Sequence, residues 1–313
     1  MPKLYFSEAI ELAFKTSSFI FLRAGLYLAF GIGLLIYFGI LFGLLHLTGG
    51  NNIATLIVII ATLGVFPILK FFKMFVIYLL QAAHIAVISQ LLRDGKLPDG
   101  KGQIEYGKEF VMTKFKDVAA ISAVDVMINA ILKAFNQTII RTAEFINFPG
   151  LEGLAQLINI TVNYSVSYLA EAILSFIIVH KEENYWKGAK DGLILYVQSW
   201  KGLLVNSAVM GIINGVSFVV FFLILILPLS LLFPHSGIGV VVAIALAYLI
   251  KEALVYPVAM IAIIVTFYNE TQGKEPDAEW EARLDSVSTK FGELKQKAID
   301  FVSKPKSPMP GTT

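Results

Sequence analysis

The chain contains no cysteine, which excludes disulfides, thiolate metal sites and cysteine nucleophiles. Charge is scarce as well. Asp, Glu, Lys and Arg make up 15% of the 313 residues, against about 25% in a soluble domain. The four histidines (His46, His84, His180 and His235) are scattered without metal-ligand spacing. His46 and His235 both fall towards an outer face, a pair that is not read as a shared metal site. No phosphate-binding loop, HExxH or GxSxG is present. Neither cofactor nor metal is therefore expected, and no enzyme. Short alternating segments of the kind that build a membrane barrel are also missing. The opening, MPKLYFSEAIELAFKTSS, is amphipathic and carries Glu8 and Glu11 ahead of the first apolar run, so it does not read as a cleavable signal peptide.

What the sequence has in abundance is apolar length. Hydrophobic residues make up 57% of it and the mean hydropathy is +0.73. The runs Leu26–Leu45, Ile53–Leu69, Leu203–Leu227 and Ile238–Ile250 are mostly free of charge. About 20 apolar residues in a helix cross a bilayer core, so the fold class expected is all-α, a polytopic helical membrane protein. Its bases are unevenly spread. Three lie before or at Arg23, six between 93 and 116, four between 181 and 201, and seven from Lys274 onward, together 20 of 25. The connections at 46–52 and 228–237 have none, and the one near 133–150 has Lys133 and Arg141. Excess Lys and Arg mark the cytoplasmic side, so both termini and the two charged loops are expected there, after an even number of crossings. The setting this suggests is a prokaryotic inner membrane.

An internal repeat accounts for the count. Ala189…Trp200-Lys201-Gly202-Leu203 leads from an amphipathic turn through an aromatic and a base into a long apolar run; Ala9…Phe21-Leu22-Arg23-Ala24 and Tyr106-Gly107-Lys108…Phe115-Lys116-Asp117-Val118 do the same. Three units, 6–95, 104–182 and 185–270, each read as an entry helix plus a hairpin, giving about six transmembrane helices in a 1–270 domain. Residues 53–92, with Pro67, Lys70 and Lys73 near their middle, are read as one interrupted helix, because two spans would put six bases outside.

Two stretches are amphipathic. Trp186, Ala189, Leu193, Val197, Trp200 and Leu204 share one helical face, the pattern of a helix lying in the membrane interface or packed on the bundle. Trp186, Trp200, Lys201, Arg23 and Lys116 are the expected interfacial anchors. Between 271 and 303, Trp280, Leu284, Val287, Phe291, Leu294, Ala298 and Phe301 alternate steps of four and three. This coiled-coil-like stripe suits either self-association, or docking of a partner, or folding back on the cytoplasmic face. Residues 304–313 read as a disordered tail. The expected partners are the lipid bilayer and a homo-oligomer or protein held through that stripe, with no nucleic acid. Sequons occur at Asn136 and Asn159 and carry no weight without a secretory context.

Polar residues inside apolar runs cost insertion energy and usually face a partner or a cavity. They are Asp125 and Asn129, then Asn159, Asn163, Tyr164 and Glu171, then Lys251 and Glu252, Lys70 and Lys73, and Gln81 and His84. Aligning Tyr78-Leu79-Leu80-Gln81-Ala82 with Tyr168-Leu169-Ala170-Glu171-Ala172 makes Gln81 and Glu171 equivalent, and Asn129 corresponds to Asn214. Asp125, Asn129, Glu171, Gln81, His84, Lys251 and Glu252 form the candidate polar core, read either as a route for a cation, proton or small solute or as inter-helix fasteners. Lys251 and Glu252 point about 100° apart on a helix and need not pair with each other. For Asn159 and Asn163, one turn apart, bridging is the reading.

The stretch VHKEENYWKGAKDGLILYVQSWKGLL resembles a group of prokaryotic membrane proteins that includes the YciC-like proteins and the membrane domain of some glycerophosphodiesterases. Glu182/Glu183, Ala189, Ser199, Trp200 and Leu203 stand where that group has its acidic, small, hydroxyl, tryptophan and leucine positions. More distantly, the hairpin order is similar to the membrane region of choline transporter-like proteins. The first resemblance implies an architecture, the second solute movement. Two functions follow as expectations, a transporter or channel-like protein for a small polar solute or ion, or a non-catalytic membrane scaffold or assembly factor. An enzyme acting on lipid ranks third.

Overall fold

A computed structural model describes residues 3–49, 52–141, 168–232 and 238–303. They are helical, with no strand among them. In order they form α1 (Phe6–Lys15), α2 (Ser17–Leu47), α3 (Asn52–Phe71), a π-helical segment (Phe72–Ile77), α4 (Tyr78–Asp94), α5 (Gln103–Arg141), α6 (Tyr168–Val179), α7 (Tyr185–Gln198), α8 (Trp200–Leu232), α9 (Ile238–Thr271), α10 (Ala278–Val287) and α11 (Thr289–Ser303). Asn159, Asn163, Tyr164 and the 304–313 tail lie outside the described residues, as do the side chains of Lys116 and Asn136.

Four stretches among the described residues are long and apolar enough to cross a membrane: Ser17–Leu41, Phe72–Asp94, Trp200–Leu231 and Gly239–Thr271. These helices fit an integral membrane protein. Their outward faces agree with that setting. Leu28, Ile40, Leu223, Leu227 and Val241 are each more than half exposed, an apolar surface that water would penalise and lipid does not. α9 is the central helix, with 67% of its apolar stretch buried in protein, against 6% for α8 beside it.

Residues 52–94 form one interrupted run. Pro67 removes a helical N–H, and five residues later the chain widens into the π-helical turn Phe72–Ile77 that carries Lys73 before returning to α geometry. Such turns are often found where function needs a displaced side chain.

Two breaks share one geometry. α1 passes into α2 at Thr16 (φ −109°, ψ 20°), and α7 into α8 at Ser199 (φ −111°, ψ 12°). In both, the hydroxyl residue's N–H still reaches back four residues, to Leu12 O at 2.9 Å and to Leu195 O at 3.1 Å. These breaks align Thr16 with Ser199, about one turn away from the register that matched Arg23 with Lys201. α5 has no such break and runs unbroken from Gln103 to Arg141. Left-handed residues Gly95 (φ 71°), Lys181 (φ 53°) and Gly273 (φ 74°) follow α4, α6 and α9, close to the expected ends of the three units.

The charged end of the bundle is densely packed. α7 is covered by protein on nearly every side, with Leu193, Ile194 and Val197 fully buried, so lipid does not cover its apolar face. Trp186 is half-buried under the Lys297 ammonium, 4.5 Å from its ring. Gly188 and Gly192 allow the close approach to α6, since a Cβ on either would lie within 3 Å of Ile177 or Ile173. The C-terminal stripe folds back within the chain. Leu284, Phe291 and Leu294 are fully buried in the core, Trp280 and Val287 pack beside them, Ala298 is buried, and Phe301 stays exposed. An extended residue, Ser288 (φ −148°, ψ 111°), splits the stripe into two helices. Asn184 fastens the arrangement, because its Oδ1 caps α7 at Lys187 N–H (3.1 Å) while its Nδ2 donates to Ala298 O (2.8 Å).

Candidate functional site

The polar residues of the apolar helices converge from α2, α4, α5, α6 and α9. Glu171, on α6, is 7% exposed. Its Oε1 accepts hydrogen bonds from Gln81 Nε2 of α4 and from the Tyr256 hydroxyl of α9. Gln81 and Glu171, equivalent positions in the sequence alignment, thus meet face to face. Behind Gln81 stands Arg23, whose Nη1 donates to Gln81 Oε1 at 3.4 Å and whose Nε donates to the Glu252 carbonyl at 3.0 Å. Its guanidinium also lies 4.5 Å from the Tyr256 ring, a cation–π contact strengthened by desolvation.

Arg23 is 4% exposed, so it is a buried bridge between helices and not the interfacial anchor the sequence suggests. The reason is the position of the helix break. Arg23 comes seven residues after Thr16, about 10 Å along α2 at 1.5 Å per residue. Lys201 comes two residues after Ser199 and remains exposed, its ammonium 5.6 Å from the Trp200 ring.

A second charged group lies beside the first. Lys251 Nζ reaches Glu252 Oε1 at 2.8 Å, and Lys73 Nζ reaches Glu252 Oε2 at 3.6 Å. Lys251 and Glu252 do pair, because the long lysine stem curls across the angle that separates neighbours on a helix. Lys73 also donates to the Tyr248 hydroxyl. This group does not open onto the cavity described next. His84 is separate too: it stacks on Phe19 (centroids 4.8 Å, planes 5° apart), and its Nε2 has no partner.

On the other side of Glu171 lies a cavity of about 190 Å³ lined by Tyr78, Gln81, Ala82, Ile85, Asp125, Asn129, Glu171, Leu174 and Tyr256. It has room for several waters or a solute of a few heavy atoms. Glu171 Oε2 and the Tyr78 hydroxyl are both buried there without a hydrogen-bond partner. Asn129 Nδ2 donates to the Asp125 carbonyl one turn back at 2.8 Å. Asn214, matched to Asn129 in the sequence, instead donates to the Tyr168 hydroxyl at 2.9 Å, a fastener between α8 and α6.

Larger cavities occur at the charged end, and several of their ionic groups are paired, while Lys274, which lines both, donates to Ser199 Oγ (2.8 Å). Lys187 holds Glu182 (2.8 Å) and Asp191 (3.2 Å) in one, and Arg283 in the other is held by Glu279 (2.8 Å). The cavity at Glu171 is smaller, and two of its lining residues, Glu171 and Tyr78, carry buried polar atoms without partners; the second large cavity has one such residue, Gln198. Arg23, Tyr78 and Tyr256 belong to this site although the sequence reading did not assign them to it. The signal for Arg23 was its distance past Thr16; tyrosines in apolar helices give none. No cluster of three or more metal-ligating residues occurs among the described residues.

Compared with known proteins, the chain matches no family model, no curated protein and no solved structure.

Proposed function

We propose that this integral membrane protein passes a small polar solute or ion through the polar core at Glu171. The observation that carries the reading is the pair of buried, unpartnered atoms, Glu171 Oε2 and the Tyr78 hydroxyl, on two residues that line one cavity. A purely structural fastener would satisfy its polar atoms, since leaving one buried and unpaired costs about 1–3 kcal/mol. The proposed frame is six crossings in three units, with both termini and the charged loops in the cytoplasm of a prokaryotic cell. The matching breaks at Thr16 and Ser199 and the left-handed residues at 95, 181 and 273 support the units. No catalytic role is proposed.

The test is flux in proteoliposomes, with proton- and sodium-sensitive dyes, comparing the wild type with Glu171→Gln and with empty vesicles. Wild-type flux that drops to the empty-vesicle level in the variant supports the path. Equal flux in both proteins removes Glu171 from it. Orientation is tested on the cysteine-free chain through Lys290→Cys, an exposed position. Labelling from the outer face of intact cells refutes the topology.

The second reading, a scaffold that binds lipid or protein, is favoured by Ile299, Phe301 and Val302 on α11, exposed by 60%, 44% and 76%. A homo-oligomer formed through the buried part of the stripe would have to displace α10 and α11 from α7.

A further inference from the structure

The reading of the core as a solute site leads to the class of solute. We infer that the cavity at Glu171 holds a small protonated amine, a primary ammonium on a short carbon chain. Its polar wall consists mainly of acceptors. Glu171 Oε2 is unpartnered and buried, Asp125 is a second carboxylate, and the Tyr78 hydroxyl is free. The nearest base does not neutralise this wall directly. Arg23 is kept behind Gln81, tied to Gln81 Oε1 and to the Glu252 carbonyl, and it does not line the cavity. Lys73 and Lys251 are occupied by Glu252. The cavity therefore calls for positive charge and N–H donors.

The opposite wall is Ala82, Ile85 and Leu174. A hard metal ion needs a shell of six or more oxygens, by about that count, and three hydrocarbon side chains offer none. An alkylammonium suits both walls. Its three N–H groups match Glu171 Oε2, the Asp125 carboxylate and the Tyr78 hydroxyl, while the carbon chain lies on Ile85 and Leu174. Charge-assisted bonds of this kind gain strength where water is excluded.

The experiment is calorimetry on the full chain in lipid nanodiscs at constant ionic strength, with n-propylammonium, tetramethylammonium, n-propanol and sodium as probes. Propylammonium is expected to bind, and both tetramethylammonium, which has no N–H, and neutral propanol at least about tenfold more weakly. Glu171→Gln and Asp125→Asn each weaken propylammonium about tenfold or more, while Glu293→Gln, at an exposed side chain of α11, leaves it unchanged. Should Glu171→Gln fail to fold, the half-buried Asp125→Asn decides alone, with folding checked by its melting curve. Equal binding of tetramethylammonium, sodium that competes as well as the amine, or variants that bind like wild type would each overturn the inference.

Flux of labelled propylammonium separates this inference from the path reading. Amine binding without any flux keeps the site and removes the path. Glu171-dependent sodium or proton flux without amine binding keeps the path and removes the amine.

Discussion

Replacing Arg23 with methionine tests whether the buried network organises the helices. Methionine preserves the stem and apolar contacts of arginine while deleting the charge. The variant loses the bond to the Glu252 carbonyl, the bond to Gln81 and the stack on Tyr256. It also leaves Glu171, joined to Arg23 through Gln81, without its nearest positive charge. Removing one partner from a buried charged set costs about 3–5 kcal/mol. Arg23→Lys keeps the charge but cannot reach the carbonyl, the amide and the ring together. It should lose about 1.5–3 kcal/mol, the worth of one charge-assisted bond. The assay is equilibrium unfolding in mixed detergent micelles with a rising fraction of SDS, read by helical circular dichroism. A residue anchored only at the interface would show less than about 0.5 kcal/mol on either change. Such a result for Arg23→Met would refute the network. Combining Arg23→Met with Gln81→Leu should cost less than the sum of the single changes, because the two residues share one bond.

Gly107→Ala should destabilise the α4–α5 contact by about 1–3 kcal/mol, since its Cβ would lie 2.9 Å from the Ala83 carbonyl and 2.7 Å from the Phe19 ring; the same SDS titration reads it, and an unchanged midpoint refutes the close approach. Lys181→Gly should stabilise by about 1 kcal/mol, because Lys181 holds φ 53° where a side chain is unfavourable; a lower midpoint would contradict that. Burial pushes the Glu182 pKa up, but the Lys187 bond, the Asn184 N–H and the nearby Lys187 charge together outweigh it and hold the pKa below the ordinary 4.5. Its contribution to stability is therefore complete above pH 4.5 and lost as pH falls through the lower folded value. Glu182→Gln should flatten the melting-temperature profile in that acidic window, and an unaltered profile would count against the pair.

The apolar runs were legible because bilayer thickness imposes a length that composition alone reveals. The C-terminal stripe was legible as a face but not as a destination. Nothing in Trp280, Leu284 and Phe291 says whether the surface they cover belongs to this chain or another. The α7 face misled for a related reason. A tryptophan and a lysine on opposite sides of a helix suit the membrane interface, and they suit equally a helix wrapped by its own chain, where Lys297 comes to rest on Trp186. The extended conformation at Ser288, which separates α10 from α11, has no marker in the sequence beyond a residue that tolerates it.

Arg23 shows most clearly where register matters. A base near the start of an apolar run reads as an anchor if the membrane helix is taken to begin at that base. The helix begins just after the break at Thr16 instead, and seven residues of advance from that break turn the same side chain from a surface group into a buried bridge. Once inside, its charge must be answered. In the two buried groups, three bases (Arg23, Lys73 and Lys251) stand with three acids (Asp125, Glu171 and Glu252), so the set as a whole is balanced. The balance is uneven in space: two lysines gather at Glu252, whereas Glu171 and Asp125 share a cavity into which no base projects. A fold that needed charge only as a fastener would gain by pairing the acids and bases one to one. Keeping two carboxylates on one side leaves the cavity short of positive charge, the condition on which the proposed amine site rests.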